Sequence, residues 1–291
     1  MGLRTKFNVA IVAAFLIGFA AAGFFLRNLF IEDARQQVLQ EAGIMMSAAN
    51  AIRKFTDTYI GPLAAQQNNS GQQFVAASVP SFVAQTTFKT LRAQYPDFTY
   101  REPALNPTNP TDRPTDWEAD FINAFRDKSG LKQLTGDRET PTGRVLSLAR
   151  PIPIDSPACL RCHSTPAEAP PAMLATYGRD NGFGWKLHEV VGAQVVSVPM
   201  SLPMQRAEAR FMAFMIILFG VFLLVLIILN VLLHYTVIRP VLTLSHIANA
   251  VSLGDSSVEE YERKGRDEIA ILSSAFNRMR RSLDSAMRML E

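Results

Sequence analysis

The chain has 291 residues, of which 48% are hydrophobic, and its formal net charge is +3 at pH 7. Because basic and acidic residues nearly balance, the charge does not indicate a nucleic-acid-binding arm. The mean hydropathy of +0.09 is high for a soluble protein, and the apolar residues that raise it lie in two blocks. The composition therefore favours a membrane protein over a wholly soluble one.

The two apolar blocks predict two transmembrane helices. Residues 7–26 and residues 211–233 contain no charged side chain, and each run is long enough to cross a bilayer core of about 30 Å as a helix. The first block has an alternative interpretation as a cleaved signal peptide, because Arg4 and Lys6 precede it. Its length exceeds the usual apolar region of about 7–15 residues, and no A-x-A-like cleavage site follows, so a retained span is favoured.

The two spans divide the chain into five parts. We predict a short tail (1–6), a first span (7–26), an outer domain (27–210), a second span (211–233) and a C-terminal module (234–291). Charged residues flank both ends of the spans, so the charge pattern alone does not orient the chain. The orientation therefore depends on the chemistry of the outer domain.

The outer domain is predicted to combine helices with a small antiparallel sheet, which is an α+β fold. Residues 31–60 predict a long helix, because apolar residues recur at helical spacing along one face. The apolar positions of this face are Val38, Ala42, Met45, Ala48, Ile52, Phe55 and Tyr59. Further helices are expected around 79–95 and at 115–127, and strands are expected at 143–154 and 190–200.

The two cysteines of the sequence are three positions apart, and a histidine follows the second. Cys159, Cys162 and His163 form the pattern Cys-x-x-Cys-His, which is typical of c-type haem attachment. Two thiols one helical turn apart can each form a thioether to a haem vinyl group, and the next residue brings an imidazole to the iron. We therefore predict one covalent haem c, with His163 as the proximal axial ligand.

This prediction also orients the chain in the membrane. Haem c is attached on the outer face of the bacterial inner membrane, so we expect the outer domain to be periplasmic. The tail and the C-terminal module are then cytoplasmic.

Three other interpretations of the cysteine pair are less favoured. A structural zinc site needs four ligands, usually from two such clusters, and the chain has no third cysteine. A thioredoxin-like pair is expected near a βαβ pattern, whereas this pair lies in proline-rich sequence. A simple disulfide stays open, although it leaves the adjacent His163 without a role.

The second axial ligand is open between several side chains. Methionine is a common partner, and Met45 lies on the apolar face of the first outer helix with Met46 beside it. His188 is the alternative distal histidine, in a glycine-rich turn before the last strand. Met173 and Met200 are weaker candidates, and a vacant sixth position for a gas ligand is a further alternative.

The C-terminal module contains two helices with apolar seams. The first has apolar residues at three-four-three spacing, and the second keeps a heptad pattern that is typical of a coiled coil. The seam positions are Val241, Leu244, Ala248 and Val251, then Ile269, Leu272, Phe276, Met279, Leu283, Ala286 and Leu290. Two such helices cannot bury their seams alone, so two copies are expected to form a parallel four-helix bundle.

Three signatures identify the kind of module. Pro240 stands just after the second span, Gly254-Asp255 ends the first helix, and Asp267-Glu268-Ile269 opens the second. With these signatures the segment from residue 234 to about 288 resembles a HAMP module, and the resemblance implies a homodimer.

The outer domain also carries a resemblance. Its stretches are FTDTYIGPL, ALNPTNPTDRPTDWE, CLRCHSTPAEAPPAMLATYG and NGFGWKLHEVVGAQVVSVPM. With them residues 31–204 resemble a family of bacterial extracytoplasmic c-type haem domains with a PAS-like fold. The resemblance implies Cys159 and Cys162 as thioether sites, His163 as the proximal ligand, and a distal ligand from the first helix near Met45 or Met46.

Together these features predict a membrane-bound haem-c sensor. We expect it to respond to redox state or a gas ligand, and to pass a signal through HAMP to a separate cytoplasmic protein such as a kinase or cyclase. The alternatives are a membrane-tethered c-type cytochrome that carries electrons and a small-molecule receptor with a structural haem. No nucleotide-binding or catalytic motif is recognised, so no enzymatic activity is expected. The other expected partner is the lipid bilayer.

Overall fold

The computed structural model describes residues 2–70, 73–128, 130–141, 143–255 and 257–290. Its helices are α1 (Leu3–Phe55), α2 (Gly61–Asn69), α3 (Pro80–Leu91), α4 (Asp116–Asp127), α5 (Pro157–His163), α6 (Pro171–Tyr177), α7 (Ser201–Leu233), α8 (Arg239–Ser252) and α9 (Glu268–Leu290). Its strands are β1 (Thr99–Arg101), β2 (Leu134–Thr140), β3 (Gly143–Pro153) and β4 (Val190–Pro199). Two π-helical turns, Thr56–Ile60 and His234–Ile238, follow α1 and α7, and 3₁₀ turns lie at Ala76–Ser78 and Pro110–Asp112.

Two helical stretches have the length and composition of membrane spans. They lie within Arg4–Asn69 and Ser201–Ser252, and their most apolar windows have mean hydropathies of 2.6 and 3.3 with no residue buried. Because none of these apolar side chains is buried, a bilayer is the environment that suits them. The structure therefore confirms the two apolar helices predicted from the sequence.

Asn28–Arg210 forms one compact unit around a four-stranded antiparallel sheet. The strand order is β1-β4-β3-β2, so β3 and β4 occupy the centre. Their pairing runs from Val145 opposite Pro199 to Pro153 opposite Val190. Helices on a small antiparallel sheet confirm the α+β fold, and the two short outer strands, β1 and β2, complete it.

Both faces of the sheet are covered, because successive side chains of a strand point to opposite faces. On one face, α1 and α3 pack against alternate residues of β3 and β4. This cluster contains Val38, Ala42, Met46, Ala49, Ala84, Phe88, Tyr100, Leu146, Leu148, Val196, Val198 and Met200. On the other face, α4 contributes to a smaller cluster of Ile122, Phe125, Ala149, Ala193 and Val195. The central strands are therefore held between two cores.

The buried face of α1 differs from the predicted one. The residues that the sheet covers are Ala34, Val38, Ala42, Met46 and Ala49. Of the predicted stripe, Ala48 is exposed, and Phe55 and Tyr59 are 56% and 61% exposed. Apolar residues occur on both sides of this helix, so hydrophobicity alone could not distinguish the face that packs on the sheet from the face that does not.

A buried polar network joins the end of α1 to the sheet. The guanidinium of Arg53 contacts the carboxylate of Glu102, whose side chain is 1% exposed. The hydroxyl of Tyr100 donates to the same carboxylate at 2.5 Å. The Gln194 amide donates to the Tyr100 oxygen at 2.9 Å and to Asn50 at 2.8 Å. Each polar group therefore has a partner, which a buried charge pair requires.

We predict that Glu102→Ala lowers the free energy of unfolding by about 3 kcal/mol, because it leaves the Arg53 charge without its buried partner. Asp137→Ala is the matched control. That carboxylate pairs with Arg144 at 3.0 Å but is 27% exposed, so its loss should cost below about 1 kcal/mol. Denaturant unfolding of the detergent-solubilised protein, followed by tryptophan fluorescence, measures both. Equal losses in the two variants would contradict the prediction.

Candidate functional site

The cysteine pair and the histidine lie on one short helix. The side chain of Ser156 caps α5 by accepting from the N–H of Ala158 at 3.2 Å, and proline occupies the first helical position, where its missing N–H costs nothing. Cys159 and Cys162 are free and half-buried. The three-residue spacing places their side chains about one helical turn apart, and His163 ends the helix.

The imidazole of His163 is oriented by a backbone carbonyl. Its Nδ1 lies 2.7 Å from the oxygen of Gly182, and because a carbonyl can only accept, Nδ1 carries the proton. The ring of Trp185 stacks on it, with centroids 3.9 Å apart and an interplanar angle of 14°. Burial lowers the pKa of His163, against a smaller opposing effect of the Gly182 hydrogen bond. The neutral imidazole therefore keeps the lone pair of Nε2 for a metal, as ligating histidines do.

The glycine-rich loop that supplies this carbonyl is bonded to the end of α5. The N–H of Gly184 donates to the Ser164 carbonyl at 2.9 Å, and the N–H of Trp185 donates to the His163 carbonyl at 3.2 Å. Gly182 has a φ of +83°, and a Cβ there would lie 2.0 Å from Oγ1 and 2.9 Å from Cα of Thr108. Only glycine satisfies both the backbone conformation and the close approach.

Two side chains that the sequence analysis did not single out complete the site. Asn106 accepts from the N–H of Gly182 at 3.2 Å and donates to the carbonyl of Phe183 at 3.3 Å, so it fixes the carbonyl that His163 uses. Trp185 supplies the stacked ring. Asn106 comes from a distant part of the chain, whereas Trp185 belongs to the same glycine-rich loop as Gly182. Only the many turn-forming residues around Asn106 mark its loop in the sequence.

The surroundings of Cys162 disfavour its thiolate form. Burial raises the pKa of Cys162, against a smaller lowering by Arg161, whereas reactive cysteines have a lowered pKa.

The end of α1 is within electrostatic reach of this helix. Burial lowers the pKa of Arg53, but Glu102, Tyr100 and Cys159 raise it, and the net direction is upward.

The candidate distal ligands occupy two different parts of the domain. Met46 is fully buried in the core between α1 and the sheet, and Met45 packs against the same core. His188 is exposed with a φ of +66°, and its N–H donates to the carbonyl of Ile154 at 2.9 Å. His188 therefore lies in the turn before β4. The choice of distal ligand stays a prediction.

The C-terminal module buries a polar side of its second helix within the chain. The buried positions of α9 are Ala270, Ser273, Asn277 and Arg280. Ser273 donates its hydroxyl to the carbonyl of Tyr261 in the connector. The predicted seam positions Leu272, Met279 and Leu283 are 50%, 63% and 50% exposed. A single chain therefore leaves most of the apolar seam uncovered.

Two models of known protein families match separate parts of the chain. Residues 31–199 match the profile of the Tll0287-like family, which is more than half of the chain. The chain belongs to the Tll0287-like family. Residues 232–285 match the HAMP domain, so α8 and α9 with their connector are a HAMP domain. The Tll0287-like region contains the whole of α5 and the loop that orients His163.

One solved structure is similar to the Tll0287-like domain. It is described as the cyanobacterial heme-protein Tll0287, with 17% sequence identity and a TM-score of 0.44. The alignment covers 56% of this chain and 95% of that one. No curated protein matches the chain.

We predict that Gly182→Ala destabilises the protein more than Gly184→Ala. Both glycines have positive φ, so each alanine adds backbone strain of about 1–2 kcal/mol. Only at Gly182 does the new Cβ also overlap the backbone of Thr108, whereas nothing lies within 4 Å at Gly184. That overlap should cost a further 1–3 kcal/mol, roughly. Thermal unfolding of the two variants measures the difference, and equal midpoints would contradict the overlap.

Proposed function

We propose that this chain is a membrane-bound sensor that carries one covalently attached haem c and signals through its HAMP domain to a separate cytoplasmic protein. The observation that most directly supports this proposal is the hydrogen bond between Nδ1 of His163 and the Gly182 carbonyl. It leaves Nε2 available on the same short helix as two free thiols. Membership of the Tll0287-like family supports the proposal.

The residues of the site fit such a cofactor. Cys159 and Cys162 would hold it by thioethers, and His163 would be its proximal ligand, kept neutral by its burial and oriented by Gly182 and Trp185. A bound haem supplies an iron that can change its oxidation state or its sixth ligand. The protein contributes the ligand orientation and a buried, hydrogen-bonded environment, which are the properties that set an iron potential.

The covalent attachment also implies the topology. Haem c is attached outside the bacterial inner membrane, so Asn28–Arg210 is proposed to be periplasmic and the HAMP domain cytoplasmic. The apolar windows of the two long helices would then cross the inner membrane. We propose no enzymatic activity for the chain, so a separate kinase or cyclase would read the signal.

The HAMP domain supports a homodimer. Its second helix turns Ser273 and Asn277 toward the rest of the same chain and leaves Leu272, Met279 and Leu283 open. An exposed apolar seam at heptad spacing is stable when a second copy covers it. Two parallel copies of α8 and α9 would form a four-helix bundle, the type of element that can switch between two packings.

The first experiment tests attachment. Expressed with cytochrome c maturation proteins, the chain should give a haem-stained band that survives denaturing electrophoresis. Cys159→Ser with Cys162→Ser should abolish this covalent haem, and His163→Ala should retain it with an altered spectrum, because the thioethers remain while the axial imidazole is lost. Arg161→Ala, between the two cysteines, is the control that should keep both the covalent haem and its spectrum. Absence of covalent haem in the unchanged chain would overturn the proposal.

The second experiment separates a sensor from an electron carrier. Spectra of the reduced protein with carbon monoxide or nitric oxide, followed by a redox titration, measure ligation and midpoint potential. A spectrum that changes with gas supports a ligand-gated sensor. An inert haem with a reversible midpoint leaves redox sensing or electron transfer, and rapid exchange with soluble cytochromes would favour the carrier.

The distal ligand has its own test. We propose that a methionine of α1 provides it, so Met45→Leu or Met46→Leu should convert a low-spin haem into a partly high-spin one that binds carbon monoxide more readily. Leucine removes the sulfur but conserves the volume. The substitution of the buried Met46 should therefore lower the free energy of unfolding by less than about 1.5 kcal/mol. An unchanged spectrum in both, with a changed one in His188→Ala, would contradict the assignment.

A further inference from the structure

An apolar stripe runs along the membrane-distal part of α1 and continues into α2 on the side turned away from the sheet. Its members are Ile44, Ala48, Ala51, Phe55, Tyr59 and Leu63, named below as the outer stripe. The four large side chains are 63%, 56%, 61% and 80% exposed in chain order. At 100° per residue, Ala48 and Phe55 lie roughly 180° from the Met46 face that packs on the sheet.

The π-helical turn keeps this stripe in line. In an α-helix a step of four residues advances about 40° beyond a full turn, so a stripe at 51, 55, 59 and 63 would drift around the helix. A π turn holds more residues than an α turn, and Thr56–Ile60 therefore offsets the drift. The rings of Phe55 and Tyr59 remain neighbours across it, with centroids 5.3 Å apart.

We infer that the outer stripe is where a second copy of this chain contacts the Tll0287-like domain. The inference rests on the proposed dimeric sensor, because the open HAMP seam already calls for a second copy. Two copies anchored in one membrane run parallel, so the stripe of one meets the same stripe of the other. No member of the stripe is charged, so this self-pairing brings no like charges together.

The pattern of side chains along α1 also supports a second copy of the chain as the partner of the outer stripe. Ala48 and Ala51 are small enough to let two helices approach closely, and larger residues stand on either side of them along the stripe. Toward the membrane the same side of α1 becomes polar and in part acidic, with Gln37, Gln40 and Glu41 in place of apolar residues. The apolar contact is therefore confined to the part between Ile44 and Leu63.

The size of the stripe indicates how it would act. Twenty residues of helix extend about 30 Å, and the largest exposed apolar patch on a typical monomer covers roughly 300–600 Å². A stable interface buries about 800 Å² per partner. The outer stripe therefore adds to a dimer held elsewhere, and its contact belongs to the full-length chain and not to an isolated domain.

Disulfide trapping in membranes tests the contact. Ala48→Cys and Phe55→Cys place a thiol on the stripe, and Ser47→Cys and Lys54→Cys place one on the exposed neighbouring residue, about 100° away. Under mild oxidation of the full-length, haem-loaded chain, the stripe variants should give about fivefold more covalent dimer than their neighbours. The chain without an added cysteine measures any background from Cys159 and Cys162.

A second variant checks that the contact, and not chance collision, produces the dimer. Ala51→Glu in the Ala48→Cys chain should lower the dimer yield about fivefold, because two carboxylates then face each other. Ser47→Glu in the same chain is the exposed control and should leave the yield unchanged. Both substitutions are on exposed positions, so we expect folding to be preserved, and the optical spectrum of the bound haem checks it.

Trapping in the HAMP domain separates the two proposals. Leu283→Cys reports the HAMP seam in otherwise unchanged chains. Efficient trapping at Leu283→Cys with equal, low yields at stripe and neighbour positions would overturn the outer-stripe contact and leave the dimeric sensor standing. Failure at both sites would overturn the dimer itself, and stripe-selective trapping supports the inference whichever HAMP result accompanies it.

Discussion

The pairing of β3 with β4 brings together the two segments that form the core of the proposed cofactor site. Pro153 lies opposite Val190 at one end of the ladder. Beyond it, Ile154 donates its N–H to Glu189 and accepts one from His188. The helix that follows β3 and the glycine-rich loop that precedes β4 are thereby held side by side. Residues nineteen positions apart, His163 and Gly182, can then form their hydrogen bond.

The central position of β3 and β4 in the sheet explains why these two strands are so apolar. Each is covered on both faces, so its residues read as a nearly continuous hydrophobic run and not as a clean alternation. The buried exceptions are paired across the strands, as Ser147 with Ser197 at 2.8 Å. The site therefore stands on a rigid base, which a metal ligand needs if its geometry is to be maintained.

Much of this arrangement is predictable from the sequence because its signals are local. The apolar spans, the Cys-x-x-Cys-His motif, the HAMP signatures and the two central strands each depend on spacing within a short segment. The orientation of α1 was not predictable in the same way, since Met45 and Met46 differ by one position and apolar residues line two sides of the helix. Packing on the sheet, a non-local property, selected Met46.

The same reasoning accounts for the site residues that were missed. Asn106 acts through the backbone of a loop 76 residues away, and Trp185 acts by stacking on a ring of another element. Neither role leaves a periodic or motif-like trace. In α9, likewise, the heptad locates the seam, but only the folded chain shows that Ser273 and Asn277 are covered within the chain while Leu272 is open.

Helix α1 has one further consequence. It contains no loop, proline or glycine-rich break from Leu3 to Phe55, and the buried pair of Arg53 and Glu102 attaches its last turn to the sheet. A flexible joint would absorb a small movement of the strands, whereas a continuous helix conveys it along its axis. A slide that separated the two charges would leave the buried Glu102 carboxylate without its partner, which is strongly unfavourable. The last turn of α1 is therefore obliged to move together with the strand that carries Glu102.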